Sequence, residues 1–168
     1  MGVRRARRGS RRLRVGAVSL FPPPPASQDL RDWADMELYA ATVLLEAEGE
    51  SEEGKVAVAW VIRTRMDQKK WTAREIALAP DQFSCWNPSY QVQRKARLMA
   101  PDPGRWASCW RAAVAAYYRL IPDPTQGADH YINPALARQT RSDHSLPAWY
   151  DLDKVTLRVG RHEFLRLG

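Results

Sequence analysis

Two helical patterns separated by a short break constrain the fold of this chain more than any other feature. Between residues 35 and 48, apolar residues recur at the spacing of an amphipathic helix; they are Met36, Tyr39, Ala40, Val43 and Ala47. Gly49 is suited to end this helix in a left-handed conformation. Ser51 is suited to cap a second helix over about 52–67. We therefore predict two consecutive helices whose junction carries five glutamates: Glu46, Glu48, Glu50, Glu52 and Glu53.

Glu46 is distinguished from the other four glutamates by its place on the first helix. At 100° per residue it lies roughly 80° from the centre of the apolar stripe, where core meets surface. Partial burial favours the protonated form of a carboxyl, and a general acid must hold a proton near neutral pH. Glu52 and Glu53 are explained by the positive end of the second helix. The alternative is a solvated junction without chemistry.

The remaining patterns predict a mainly α (α+β) domain with a small β element near the C-terminus. Thr72 and Glu75 form a capping box that opens a short helix ending before Pro80. Further helices are expected over about 91–99 and about 104–120, with an aromatic-bearing loop over 81–88. Alternation around Gly160, within residues 155–167, predicts one or two short strands.

The charge of the chain is concentrated at its N-terminus. The net charge is +7, and seven arginines precede residue 15, whereas no acid precedes Asp29. The other 19 basic residues balance the 19 acidic ones. We interpret residues 1–28 as a flexible, basic, Pro-rich arm that seeks anionic surfaces, and residues 29–168 as the catalytic domain. A twin-arginine export signal at residues 10–13 is the alternative, but four prolines abut its short apolar region, so no cleaved signal peptide is predicted.

Metal and cofactor patterns are absent from the sequence. Neither an HExxH motif nor a CxxC pair occurs, so we predict no metal and no cofactor. A zinc-dependent amidase using His130, His144 or His162 remains an alternative, as does a nucleic-acid-binding module that relies on the basic arm alone.

Cys85 and Cys109 are either buried thiols or a disulfide. Several aromatic residues in loop-like stretches are suited either to sugar stacking or to core packing: Phe83, Trp86, Tyr90, Trp149 and Tyr150.

Four motifs, in order along residues 36–165, resemble a cell wall hydrolase family that includes spore cortex-lytic enzymes and bacteriophage endolysins. The first is Glu-Ala-x-Gly-Glu at 46–50, followed by Glu-Gly-x-Val-Ala-Val-Ala at 53–59. The others are Arg-Thr-Arg at 63–65 with Gln-Phe-Ser-Cys-Trp at 82–86, the segment 123–134, and Gly-Arg-His-Glu-Phe at 160–164. The chain departs from the family at Leu44 and Leu45, where small or aromatic residues are usual, and at Glu48, where arginine is common.

The resemblance implies a lysozyme-like helical domain that cleaves peptidoglycan between N-acetylmuramic acid and N-acetylglucosamine. It assigns the catalytic acid to Glu46. We expect the glycan groove to be lined by Gln82, Phe83, His130, Tyr131 and Asn133.

Two reaction types are compatible with this assignment. In a lytic transglycosylase Glu46 acts first as acid and then as base on the muramic acid C6 hydroxyl. A muramidase needs a second carboxylate, for which Glu50 and Asp143 are the candidates. We favour the transglycosylase because no carboxylate pairs with Glu46 at an obvious spacing.

The implied role is an endolysin or an envelope-remodelling enzyme that acts on the cell envelope. An endolysin would be made in the host cytoplasm. We expect a monomer whose arm binds the anionic outer membrane or wall polymers, and no nucleic-acid partner.

Overall fold

The computed structural model describes residues 21–23, 25, 27, 29–80, 82–91, 94, 98 and 102–168. Five helices have defined bounds: α1 Asp35–Ala47, α2 Glu52–Lys69, α3 Ala73–Leu78, α4 Pro103–Tyr117 and α5 Pro134–Thr140. Short 3-10 turns lie at Leu30–Asp32, Ser84–Trp86, Pro88–Tyr90 and Leu152–Lys154. Gln91, Arg94 and Leu98 are helical, but the rest of the helix predicted over 91–99 lies outside the described residues.

The junction between the first two helices forms largely as predicted. The Ser51 hydroxyl accepts a hydrogen bond from the Gly54 N–H at 3.2 Å and thereby caps α2. The prediction that Gly49 adopts a left-handed conformation is wrong, because Glu48 ends α1 in a right-handed conformation and Gly49 has no positive φ. The Ala47 carbonyl instead accepts the Glu50 N–H at 3.0 Å, so this end of the helix needs no left-handed residue.

The other predicted helices follow the same rules of capping. The predicted capping box is confirmed, since the Thr72 hydroxyl accepts the Glu75 N–H at 3.2 Å and the Glu75 carboxylate accepts the Thr72 N–H at 2.7 Å. Helix α4 covers most of the helix expected over 104–120, and its first turn is capped by Asp102.

Three strands form an antiparallel sheet in the order β1-β3-β2. The predicted C-terminal strands are confirmed as β2 Val155–Val159 and β3 His162–Leu165, whereas β1 His130–Ile132 was not predicted. Gly160 turns the hairpin between β2 and β3 with φ +57°, a conformation that favours glycine. The predicted mainly helical fold with a small C-terminal β element is confirmed.

The core has two parts. The larger part joins α1, α2, α3 and α4 through fully buried side chains such as Leu38, Tyr39 and Ile62. The smaller part packs Ala57, Val58 and Val61 of α2 against Phe164 of β3. Burial of this apolar surface, at roughly 25 cal/mol per Å², fixes the sheet against α2. Among the described residues, no helix is long and apolar enough to cross a membrane.

The C-terminal part of the predicted arm contacts the domain. Trp106 on α4 donates its indole N–H to the Pro22 carbonyl at 2.7 Å. The Arg111 guanidinium lies 5.6 Å from the centre of the Phe21 ring. Residues 1–20, which hold the seven arginines, lie outside the described residues.

Candidate active site

A cleft of about 570 Å³ opens between the ends of α1 and α2, the loop after α3, strand β1 and the loop before β2. Both acidic and basic groups face it, together with aromatic rings. The described residues that line it are Glu46, Arg65, Gln68, Lys69, Gln82, Phe83, Ser84, Asp129, His130, Tyr131, Trp149 and Gly168.

Glu46 lies in the last turn of α1 and is half-buried in the wall of this cleft. Its Oε1 accepts the backbone N–H of Cys85 at 3.1 Å, and its Oε2 accepts the Tyr131 hydroxyl at 2.9 Å. The two donors come from the Ser84–Trp86 turn and from β1, so separate elements orient one carboxyl group. Glu46 is half-buried, as predicted, but the predicted single apolar stripe is wrong: residues 38–45 are all buried, because other elements surround this part of α1, and Met36 is only half-buried.

The two side chains beside Glu46 remain protonated at neutral pH. Burial, and then the charge of Glu46, raise the pKa of the Tyr131 hydroxyl well above its ordinary value, so it stays a hydrogen-bond donor. Burial and the same carboxylate raise the pKa of the Cys85 thiol. A thiol in this state is a poor nucleophile, which argues against cysteine catalysis in this cleft.

Arg65, on α2, connects the loop after α3 to the segment that leads into β1. It is 9% exposed, and it donates from Nε to the Asp129 carbonyl at 2.6 Å and from a terminal nitrogen to the Gln82 carbonyl at 3.0 Å. Its guanidinium carbon lies 5.0 Å from the centre of the Phe83 ring. The guanidinium therefore fixes the loop bearing Gln82 and Phe83 relative to β1.

Asp129 forms a second polar centre in the cleft. It is 4% exposed, and its Oδ1 lies 2.9 Å from His130 Nδ1 and 2.9 Å from the Leu167 nitrogen. Its Oδ2 accepts from Gln68 at 3.1 Å and from the Gly168 N–H at 3.3 Å. Burial opposes ionisation of this carboxyl, but the surrounding donors outweigh it and lower the pKa of Asp129.

Five of the eight predicted site residues meet in the cleft, and three do not. Glu46, Gln82, Phe83, His130 and Tyr131 line it. Asn133 is absent from the lining and caps α5, where its side-chain oxygen accepts the Leu136 N–H at 3.0 Å.

The structure places neither candidate for a second carboxylate in the cleft lining. Glu50 does not extend α1 by one turn, because the helix ends at Ala47; its Oε1 lies 3.5 Å from His162 Nδ1 instead. Asp143 accepts from the Ser145 N–H at 3.1 Å and hydroxyl at 2.8 Å, outside the cleft.

The structure does not support the alternative of a zinc-dependent amidase in the part of the chain that it describes. There, no three His, Cys, Asp or Glu side chains are grouped to hold a metal ion. His144 Nδ1 lies 2.9 Å from the Arg138 carbonyl, and His162 lies beside Glu50, so the three histidines have separate partners. Cys85 and Cys109 are buried free thiols.

Several lining residues were not predicted. Arg65 follows Val58, Val61 and Ile62 on the buried face of α2, and an arginine on an apolar face is a signal of a buried polar contact. Asp129 immediately precedes the predicted His130. Trp149 was considered only among aromatics suited to stacking, and nothing in its local sequence assigned it to this cleft.

Comparison with known proteins places this architecture in a family. The sequence profile of the family described as Cell Wall Hydrolase matches residues 49–165. The chain belongs to the cell wall hydrolase family. The predicted family and the predicted enzyme class, an enzyme that degrades the cell wall, are thereby confirmed. The matched segment includes all the described lining residues except Glu46 and Gly168.

Two solved structures have the same fold. One is the catalytic domain of the germination-specific lytic transglycosylase SleB from Bacillus anthracis, with a TM-score of 0.56 and 23% identity over 80% of this chain and 98% of that one. The other is the catalytic domain of the Bacillus cereus SleB protein, with a TM-score of 0.57 and 24% identity over 90% of this chain and 100% of that one. Among curated proteins, no sequence matches this chain significantly.

Proposed function

We propose that this cell wall hydrolase cleaves peptidoglycan between N-acetylmuramic acid and N-acetylglucosamine as a lytic transglycosylase, with Glu46 as its catalytic acid. The observation that carries the proposal is the Glu46 carboxyl, half-buried in an open cleft with one donor on each oxygen. Membership of the family supports the substrate class. The Bacillus anthracis SleB catalytic domain, which has the same fold, belongs to a lytic transglycosylase, and this supports the reaction type.

The reaction begins with proton transfer from Glu46 to the glycosidic oxygen. The C1–O bond of the muramic acid breaks, the N-acetylglucosamine leaves with the proton, and an oxocarbenium-like centre develops at C1. The Glu46 carboxylate then accepts the proton of the muramic acid C6 hydroxyl, whose oxygen attacks C1. The product is a 1,6-anhydro sugar, no water is consumed, and Glu46 regains its proton.

The surroundings of Glu46 favour the transglycosylase over the muramidase. Of the described residues lining the cleft, only Glu46 and Asp129 carry a side-chain carboxyl. Asp129 is surrounded by His130, Leu167, Gln68 and Gly168, so its oxygens are engaged and not available to activate a water molecule. Glu50 and Asp143 do not line the cleft. A reaction that reuses one carboxyl group fits this arrangement.

Mass spectrometry of digested peptidoglycan tests the proposal directly. Anhydro-muropeptides from the wild type, and their loss in Glu46→Gln, are expected. Reducing muramic acid ends would replace the transglycosylase with a muramidase, and undiminished digestion by Glu46→Gln would remove Glu46 from the mechanism. Release of peptides, without new sugar ends, would identify an amidase instead.

The basic arm is assigned to envelope binding in the same proposal, which makes the protein an endolysin or an envelope-remodelling enzyme. Removal of residues 1–20 deletes the seven arginines but keeps Phe21 and Pro22, which contact α4. We expect this truncated protein to digest purified peptidoglycan as the full chain does and to lyse intact Gram-negative cells more slowly. Equal lysis by the two forms would contradict a role for the arm.

A further inference from the structure

Part of the cleft lining is not used by the acid chemistry assigned to Glu46. We propose that Trp149 and His130 form a sugar-binding subsite, in which Trp149 stacks on a pyranose ring and His130 accepts a hydrogen bond from a sugar hydroxyl. Asp129 is the positioning residue that orients His130. This inference rests on the proposed function in that the ligand is a segment of the same glycan strand.

Trp149 offers a large aromatic surface to the cleft. It is 40% exposed, although tryptophan is a side chain that proteins usually bury in large part. An aromatic ring combines a broad apolar surface with a directional electrostatic face, which suits it to the apolar C–H face of a sugar. Its ring centre lies 5.2 Å from that of His130, with an angle of 44° between the planes.

The loop that carries Trp149 is attached to the sheet through the residue that follows it. The hydroxyl of the adjacent Tyr150 donates to Glu163 Oε2 at 2.6 Å, and the Tyr150 N–H donates to the Pro147 carbonyl at 2.9 Å. Strand β3, which contains Glu163, pairs with β1, which contains His130. The hydrogen bond to Glu163 and the strand pairing therefore connect the Trp149 loop to the strand that carries His130, and a site formed before the ligand binds loses less entropy on binding.

The contact with Asp129 determines which nitrogen of His130 is free. The lowered pKa of Asp129 keeps this carboxyl ionised at neutral pH, and an ionised carboxylate only accepts hydrogen bonds. His130 Nδ1, 2.9 Å from Asp129 Oδ1, must therefore carry a hydrogen. In the neutral imidazole Nε2 is then an acceptor, and sugar hydroxyls are donors that match it.

Equilibrium binding of chitohexaose, a β-1,4-linked hexamer of N-acetylglucosamine, tests the subsite in the Glu46→Gln background by calorimetry. Trp149→Ala is expected to weaken binding about tenfold, because one stacked aromatic contact is lost. Trp149→Phe should recover most of that loss. Trp71→Ala is the matched control: Trp71 is 41% exposed and is not among the cleft-lining residues, so we expect no change.

The histidine has its own pair of variants. His130→Phe keeps a ring beside Trp149 but removes the acceptor, and we expect binding to weaken about fivefold. His144→Phe, at an exposed histidine outside the cleft, should have no effect. Nitrogen-15 NMR of the protein labelled at histidine should show the tautomer of His130 with its proton on Nδ1, and Asp129→Asn should reduce the population of that tautomer.

Three results would overturn the subsite. They are an absence of chitohexaose binding to the parent protein, equal affinities of Trp149→Ala and Trp71→Ala, and a His130 ring that carries a proton on Nε2, with or without one on Nδ1. Circular dichroism identifies any variant that fails to fold. If Trp149→Ala does not fold, the affinities of Trp149→Phe and His130→Phe are compared with those of the control variants instead. These outcomes are separate from the proposed reaction, because cleavage by Glu46→Gln would refute the acid without changing the binding comparison.

Discussion

The cleft around Glu46 and the cluster around Glu50 each hold a half-buried carboxylate, and only Glu46 lines the cleft. Glu46 is oriented by a backbone N–H and a tyrosine hydroxyl. Glu50, whose side chain is 27% exposed, lies between the hairpin and the start of α2: its Oε1 lies 3.5 Å from His162 Nδ1, and a Cβ added at Gly160 would lie 3.3 Å from its Oε2. A Cβ added at Gly54 would lie 2.9 Å from the Glu50 Cβ.

Two glutamates that are four positions apart in the sequence therefore have different roles: that of Glu46 is chemical and that of Glu50 is structural. A carboxyl that lines the cleft can reach a substrate, whereas the Glu50 carboxyl lies beside His162 and Gly160 and so connects the β2–β3 hairpin to the junction between α1 and α2. Substitutions near Glu46 should therefore change the rate, and substitutions near Glu50 should change the stability.

The largest expected effect is the contrast between Glu46→Gln and Glu50→Gln. Loss of a general acid lowers kcat about 10²- to 10⁴-fold. Glu50→Gln keeps the shape of the side chain and removes one part-exposed contact between a carboxylate and a histidine, so we expect less than about 1 kcal/mol of lost stability and little change in kcat. Initial rates on purified peptidoglycan measure kcat for the two variants. Similar losses of kcat in both would contradict the assignment of different roles to Glu46 and Glu50.

Tyr131→Phe should give the next largest effect, because it removes the hydroxyl that donates to Glu46 Oε2. A hydrogen bond to a charged group is worth about 1.5–3 kcal/mol, so we expect kcat to fall about 10- to 100-fold. Tyr39→Phe is the control, since the Tyr39 hydroxyl donates to the Ala59 carbonyl in the core. The control should lower the melting temperature and leave kcat unchanged; a fall in both rates alike would point to general loosening of the fold.

Asp129→Asn should lower the free energy of unfolding by about 1–3 kcal/mol at pH 7, because its donors lose a buried charged acceptor. The folded-state pKa of Asp129 is lowered below the ordinary value of about 3.9, so the stabilisation is complete above that pH and is lost as the pH falls through the folded pKa. The difference between wild type and variant should therefore shrink below about pH 4. Urea unfolding from pH 3 to pH 7 measures it, and a constant difference would contradict the assignment.

Gly160→Ala should have the smallest effect and should act on stability alone. The residue has φ +57°, and left-handed conformations cost alanine about 1–2 kcal/mol. Gly49→Ala is the control, since Gly49 has no positive φ and no atom within 4 Å of an added Cβ. Thermal unfolding should separate the two, with kcat unchanged in both. A rate loss in Gly160→Ala would show that the Glu50 cluster influences the cleft.

The local signals in the sequence predicted the helices well because caps and apolar stripes act over a few residues. Ser51 and the Thr72–Glu75 pair form the predicted caps, and α1 ends within a residue of its predicted end. Strand β1 was missed because its three residues acquire strand structure only by pairing with β3. Gly49 was assigned wrongly because an i→i+3 hydrogen bond satisfied the helix end in another way.

The sequence by itself determined the family, the helical architecture and the place of Glu46 near the end of the first helix, since these depend on local spacing and on motif order. Only the tertiary structure decided what surrounds that carboxyl. The Cys85 N–H and the Tyr131 hydroxyl are 39 and 85 positions away, and the end of α1 at Ala47 directs Glu50 toward His162. Contacts between distant segments depend on how the sheet packs on the helices, and no local pattern encodes that packing.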